Sequence, residues 1–257
     1  MPHEIFMTAI VPDGDATKAR SVLTGVTETR ERHRYTKIRY MQREDAAPKT
    51  LDKFKELGKE PRNPNAARWQ ELHQILLAQS YIVQERVDIT PEVLSQKSGD
   101  PTAATTLAPT KQRTLRWDNF PDPKSDRIPA FLHQRRMLEI ADRNVTNIMA
   151  DAKFIPRSGA LLESYHWWLN NIEYVLSKVH TIPVDAYSQE TAIPDLDSAT
   201  PLAHFWILEV RAQVDSKPEL IQSGQDRLAQ TQKRLLGVFE FKVFDRRAFD
   251  TRIMSRN

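Results

Sequence analysis

The chain has 257 residues, with 37 Lys and Arg against 34 Asp and Glu and a formal net charge of +3. That length holds one large hydrophobic core or two small ones, and so slight an excess of charge, mixed over both signs, excludes the strongly basic field that binds nucleic acid without sequence preference. The absence of cysteine excludes disulfide scaffolds, thiolate zinc sites and cysteine nucleophiles together, and it suits the cytosol or nucleus.

Residues 4–11 form an apolar run with no basic start and no small-residue cleavage site, which predicts a first strand rather than a signal peptide. No apolar stretch approaches the ~20 residues that a membrane-spanning helix needs. Pro12-Asp13-Gly14-Asp15 makes a turn in which Asp15 can cap a helix carrying Ala16, Ala19, Val22, Leu23 and Val26, with Gly25 as its stop. A second strand is expected over 35–41. Residues 44–66 mix charges with Pro48, Pro61 and Pro64 and are expected to be a long surface loop, in which Leu51, Phe54 and Leu57 hint at one helical turn. Trp69, Leu72, Leu76 and Leu77 fit a helix nearly as well as a strand, whereas 80–89 alternate as a strand does. Residues 91–112 are poor in large apolar groups and read as a second long loop. Short apolar segments follow at 114–117 and 136–140.

Over 147–182 periodicity is ambiguous. Leu162, Tyr165, Trp168, Leu169, Ile172, Val175, Leu176 and Val179 would make an amphipathic helix, and a hairpin turning at Asn170-Asn171 accounts for the stretch equally well, because asparagine tolerates the positive φ of such turns. The end of the chain is clearer. In 204–214, Trp206, Leu208, Val210, Ala212 and Val214 alternate with Glu209, Arg211 and Gln213, the pattern of a sheet buried on one face. A helix over 219–236 then places Leu220, Ile221, Leu228, Leu235 and Leu236 near one side, and a strand over 238–245 carries Phe239, Phe241 and Val243.

Catalytic motifs are scarce. With seven glycines in the chain, phosphate-cradling loops have little material, and Gly58-Lys59 is followed by Glu60 rather than Ser or Thr. The histidines never fall at zinc-binding spacing, and no Gly-x-Ser-x-Gly elbow is present. Positions i and i+2 of a strand share a face, so a metal-dependent tunnel hydrolase would show Glu-x-Glu, which occurs nowhere. Asp13/Asp15 and Asp195/Asp197 lie in predicted turns. The most basic stretch, 30–43, reads as a solvated strand face near a sheet edge in preference to a nucleic-acid patch.

Four segments together resemble the fungal family of Mediator complex subunit 18: His3-Glu4-Ile5-Phe6-Met7-Thr8-Ala9, Thr114-Leu115-Arg116-Trp117-Asp118-Asn119-Phe120-Pro121-Asp122-Pro123, the run from Ser164 to Leu176 around Trp167-Trp168, and the run from Gly237 to Arg252. They occur in family order over nearly the whole chain. The resemblance implies a β-rich α+β fold: a single antiparallel β-barrel similar to tunnel-type triphosphatases, flanked by a few helices including a long C-terminal one, in one domain over 1–257, with 147–182 as strands. It implies a non-catalytic nuclear protein of the Mediator head module, without metal or cofactor, that forms a heterodimer with Mediator subunit 20 and receives a helical segment of Mediator subunit 8. Other head-module subunits and RNA polymerase II are the further partners implied, with no membrane and no sequence-specific nucleic acid. Aromatics that the isolated chain leaves uncovered are then interface candidates, and Trp167 and Phe249 are named as such. The competing reading is a tunnel hydrolase of triphosphate or polyphosphate, in which Lys37, Arg39, Arg86 or Arg211 would pair with phosphate oxygens.

Overall fold

Strands whose side chains alternate between apolar and charged must hide both faces or leave one in water. This chain closes them into a ring. The computed structural model describes residues 2–44, 48–90, 94, 112–123 and 128–253. The strands are β1 (His3–Pro12), β2 (Arg32–Arg43), β3 (Val83–Ile89), β4 (Arg113–Asp118), β5 (His133–Asp142), β6 (Phe154–Leu169), β7 (Ile172–Thr181), β8 (Thr200–Pro201), β9 (Phe205–Val214) and β10 (Phe241–Lys242). Eight of them pair antiparallel in the cycle β1-β5-β4-β3-β2-β6-β7-β9 and back to β1. Closure leaves no free edge along that cycle. β5 pairs only the first part of β1, from His3 to Phe6, and β10 takes up Thr8 and Ala9 beyond it.

The hydrophobic core lies outside the ring. Ile5, Met7 and Ala9 of β1 and Leu208, Val210 and Ala212 of β9 are all fully buried, and they point away from the barrel axis. Helices α1 (Ala16–Thr27) and α6 (Pro218–Leu235) cover them. Gly224 allows α6 to lie this close, since a Cβ there would stand 2.9 Å from Ile5 Cδ1. On the opposite flank α2 (Asp52–Leu57), α3 (Ala66–Ala78) and α4 (Val145–Asp151) bury Phe54, Trp69, Leu72 and Met149 against Leu115, Trp117 and Leu138. A third cluster joins Val87, Ile89 and Leu161 to Ile182 and Ile193, beside the short helix α5 (Val184–Ser188).

Several sequence expectations change. The stretch 44–66 is not simply a loop: Pro48–Leu51 forms a 3-10 turn and α2 follows, with Leu51 and Phe54 fully buried, because three apolar side chains at spacing three suffice for one turn when a neighbouring helix covers them. The ambiguous half at 66–78 is helix, and β3 begins at Val83 rather than at Ser80. α1 runs through Gly25 and ends where Glu28 takes a left-handed conformation (φ 53°), and Asp15 makes no side-chain cap. The hairpin reading of 147–182 holds for β6 and β7, which turn at Asn170 (φ 50°) and Asn171 (φ 61°), whereas the start of the stretch belongs to α4. β2 is paired on both sides, so the basic stretch 30–43 is not near an edge. Leu220 and Leu236, expected on the apolar face of α6, are exposed at 39% and 69%. The predicted last strand shortens to β10. The second long loop, 91–112, lies outside the described residues apart from Leu94 and Gln112.

Leu228 of α6 is fully buried within the cluster between helix and barrel. Leu228→Ala is expected to cost about 2–5 kcal/mol through lost transfer energy and the cavity left behind, read as a lower urea midpoint with unchanged slope.

Candidate functional site

The inner face of the ring encloses a cavity of about 820 Å3. The same alternation that sends apolar groups outward sends polar ones in: Arg34 and Thr36 from β2, Arg86 and Asp88 from β3, Thr114 and Arg116 from β4. From β5 come Arg135 and Glu139, from β6 Ser164 and His166, from β7 Glu173, and from β9 Glu209 and Arg211. Glu209 and Arg211, read from the sequence as the wet face of a sheet, therefore face the interior of the barrel.

Ion pairs dominate this interior. Glu4 is fully buried, and its Oε2 accepts from Arg116 Nη2 at 2.8 Å and from Arg135 Nε at 2.8 Å, while Oε1 lies 3.6 Å from Arg211 Nη1. Arg116 also donates from Nε to Asp118 at 2.9 Å and from Nη1 to Glu139 at 2.9 Å. Arg211 Nε donates to Glu173 at 2.8 Å, and Nη1 to Glu209 at 3.1 Å. Burial pushes the Glu4 carboxyl up, but the guanidiniums of Arg116, Arg135 and Arg211 outweigh it and hold the group well below the ordinary carboxylate range. Glu173 is balanced in the same way: burial raises it, and the hydrogen bond from His166 Nδ1 at 2.7 Å, followed by Arg211, lowers it to about 2.

A ring of carboxylates set against arginines in this manner has little capacity left for a divalent cation, because each carboxylate already faces a fixed positive charge. Among the described residues, no three His, Asp or Glu side chains stand together as a metal site.

The four basic residues named for a phosphate-binding tunnel separate. Arg86 and Arg211 line the cavity. Lys37 and Arg39 point the other way, under the segment after α5. Lys37 Nζ donates to the carbonyls of Gln189 at 2.8 Å and Ala192 at 2.7 Å, and burial followed by the charges of Arg39 and Arg113 pulls it down to about 7. Arg39 Nε donates to the Tyr187 carbonyl at 2.8 Å and Nη1 to Glu85 at 2.7 Å; Arg113 Nη1 meets the same carboxylate at 2.9 Å. The basic stretch is thus divided between the cavity and a buried network outside it. An odd/even split of Arg34 from Lys37 and Arg39 was present in the sequence, and only barrel closure makes it decisive.

Of the two aromatics named as partner contacts, Trp167 is corrected in its premise. It is fully buried under α1, with Nε1 donating to Thr24 Oγ1 at 3.0 Å, so the chain covers it unaided. Phe249 is half-buried at the cavity wall, edge-on to Phe6 at 5.5 Å between centroids and tilted against His133 at 5.3 Å. It sits on the C-terminal segment, which Thr251 and Ile253 tie to Ile82 and Ser80 through backbone hydrogen bonds of 2.8 and 2.9 Å. The charged run there forms ion pairs, Asp245 with Arg247 and Asp250 with Arg252. The latter arginine and Arg246 both stack on Phe120, at 4.2 and 4.0 Å from the ring centre. The residues that sequence reading missed are Glu4, Arg116, Arg135, Glu139 and Glu173. For Arg116 the signal was the spacing of two in Thr114-Arg116-Asp118.

The profile of a family described as Med18 protein matches residues 3–252. No curated protein sequence matches the chain significantly. A chain in the Schizosaccharomyces pombe Mediator head module superposes with a TM-score of 0.63 at 13% identity, covering 93% of this chain and 98% of that one, which supports the barrel fold. A Hippeastrum protein proposed as an adenylyl cyclase, with dominant triphosphatase activity, aligns at a TM-score of 0.43 and 8% identity over 95% of this chain and 93% of that one. A Pyrococcus horikoshii protein aligns at 0.45 and 11% identity over 93% of each. Likeness at that level carries no function.

The lowered pKa of Glu173 fixes the sign of its effect on stability. Its folded value lies below the unfolded one, so its contribution is present above pH ~4.5 and is lost as the pH falls toward 2. Glu173→Gln is expected to flatten the loss of stability over that window by about 3 kcal/mol, checked by urea unfolding at successive pH values. Glu4→Gln, which leaves Arg116 and Arg135 facing no charge at that position, is expected to cost about 3–5 kcal/mol at neutral pH.

Proposed function

The chain belongs to the Med18 family, and from that premise we propose that it is a non-catalytic scaffold subunit of the Mediator head module. In this reading it acts in the nucleus, linking transcription regulators to RNA polymerase II through protein contacts. The single observation that supports a binding rather than a catalytic role is the barrel interior. Where a hydrolase needs uncommitted carboxylates to gather a metal, Glu139 of this cavity is paired with Arg116 and Glu173 and Glu209 with Arg211, and Glu4 in the wall behind them faces three arginines.

The partners proposed are Mediator subunit 20, as a heterodimer, and a helical segment of subunit 8, with the other head-module subunits beyond them. Partner surfaces of such complexes centre on a few apolar anchors. Leu236 and Val238, directly after α6, are exposed at 69% and 54%, and they are the anchors we assign to a partner surface. Phe249 remains a candidate on the face it turns to the cavity. Trp167 would act only indirectly, by holding α1 against the barrel.

Co-expression with the cognate subunits 20 and 8 tests the reading. A stable complex on size exclusion is expected, together with no metal-dependent release of phosphate from tripolyphosphate. Recovery of this chain as a monomer, or clear metal-dependent turnover, sinks it. The double variant Leu236→Glu/Val238→Glu is expected to lower recovery of the complex about tenfold while leaving the melting temperature of the isolated chain unchanged.

A further inference from the structure

We propose that the barrel cavity is a binding site for a small organic monoanion, with a carboxylate held by Arg86 and an apolar body lying against Phe205, Ile207 and Phe249. This goes beyond the scaffold reading and does not depend on it.

The first support is size. A cavity of about 820 Å3 falls within the roughly 300–1,000 Å3 typical of small-molecule sites. The second is the state of its five arginines. Arg116, Arg135 and Arg211 are each bound by carboxylates at hydrogen-bonding distance, and Arg34 lies 3.9 Å from Asp88. Arg86 differs. Among the described residues it has no carboxylate within 4.0 Å, and its Nε and Nη2 donate to the side-chain oxygen of Gln84, at 2.9 and 2.5 Å. Its Nη1 has no partner among the described residues.

A half-buried guanidinium that no carboxylate touches is costly to keep ionised, and here Asp118 and Glu139 offset that cost only from a distance. Burial, and next the nearby charge of Arg116, pull Arg86 down to about 10. An anion arriving on Nη1 removes that penalty, and carboxylate geometry matches the planar fork of the side chain. The third support is the rest of the wall, where Leu162, Val175, Phe205, Ile207, Phe244 and Phe249 offer apolar surface across the same cavity. A ligand with one charge and one apolar end satisfies both parts.

The same bookkeeping disfavours a polyphosphate. Several negative charges require several free cations, and here Asp88, Glu139, Glu173 and Glu209 share the lining with the arginines. One uncommitted guanidinium fits one negative charge.

Methyl NMR of the full chain, titrated with 2-naphthoate, 2-naphthalenemethanol and tripolyphosphate, tests the proposal. Naphthoate is expected to shift the methyls of Leu162, Val175 and Ile207, with the neutral alcohol binding about tenfold more weakly or worse. Arg86→Gln is expected to bring naphthoate down to the level of the alcohol, whereas Arg86→Lys keeps a clear preference for the acid. Absence of localised shifts up to the solubility of naphthoate overturns the proposal. So do equal affinity for acid and alcohol, undiminished binding in Arg86→Gln, and tighter binding of tripolyphosphate than of naphthoate. If Arg86→Gln fails to fold, the comparison of acid with alcohol on the unaltered chain decides.

Discussion

Glu4 is a carboxylate with no exposure at all, sitting where three strands of guanidiniums converge. An isolated charge there would cost several kcal/mol, so its presence requires Arg116 from β4, Arg135 from β5 and Arg211 from β9 to be in place. The strands that carry them flank β1 directly or lie one strand further on. Electrostatics inside the barrel therefore demand the strand order that hydrogen bonding closes. The reverse holds as well, since those arginines are tolerable only because Glu4, Asp118, Glu139, Glu173 and Glu209 meet them.

Filling a barrel with paired charge moves the hydrophobic core elsewhere. An eight-stranded ring with an apolar interior could be stable by itself. Here most apolar side chains of the wall point outward and helices must cover them, while a smaller set, Leu162, Val175, Phe205 and Ile207, faces the cavity. α1 and α6 cover one flank, and α2, α3 and α4 cover another. This explains why a chain with a modest apolar content still buries Trp69, Trp117 and Trp167 almost completely. Leu236 stays exposed beside the fully buried Leu235, because adjacent residues at the end of α6 cannot both face the wall. Surface left over from covering a barrel is surface on which another chain can be placed, and membership of the Med18 family is consistent with that use.

Function and chemistry separate along the same lines. The arrangement of strands is one that other proteins share, and fold alone does not say whether a cavity is catalytic. What decides is the state of the side chains inside. Carboxylates that are already neutralised are structural, whereas Arg86, the cavity arginine whose contacts among the described residues include no carboxylate, is the place where the interior still has something to bind.

Much of the secondary structure was legible in sequence order. The alternation of Trp206, Leu208 and Val210 with Glu209 and Arg211 specified β9, and the spacing of Leu228 and Leu235 specified the buried side of α6, because local periodicity reports which side chains share a face. Asn170-Asn171 was a legible turn, though periodicity alone left a helix equally open, since residues three or four apart in β6 and β7 happened also to be apolar. The four family-like segments carried the barrel itself. Only tertiary structure decided what each face meets. Whether Glu209 and Arg211 see water or a cavity, whether Lys37 joins Arg34 or turns away from it, and whether Trp167 lies open or under α1 all depend on ring closure and on which helix covers which wall. Those are contacts between residues far apart in the chain, and no local pattern encodes them.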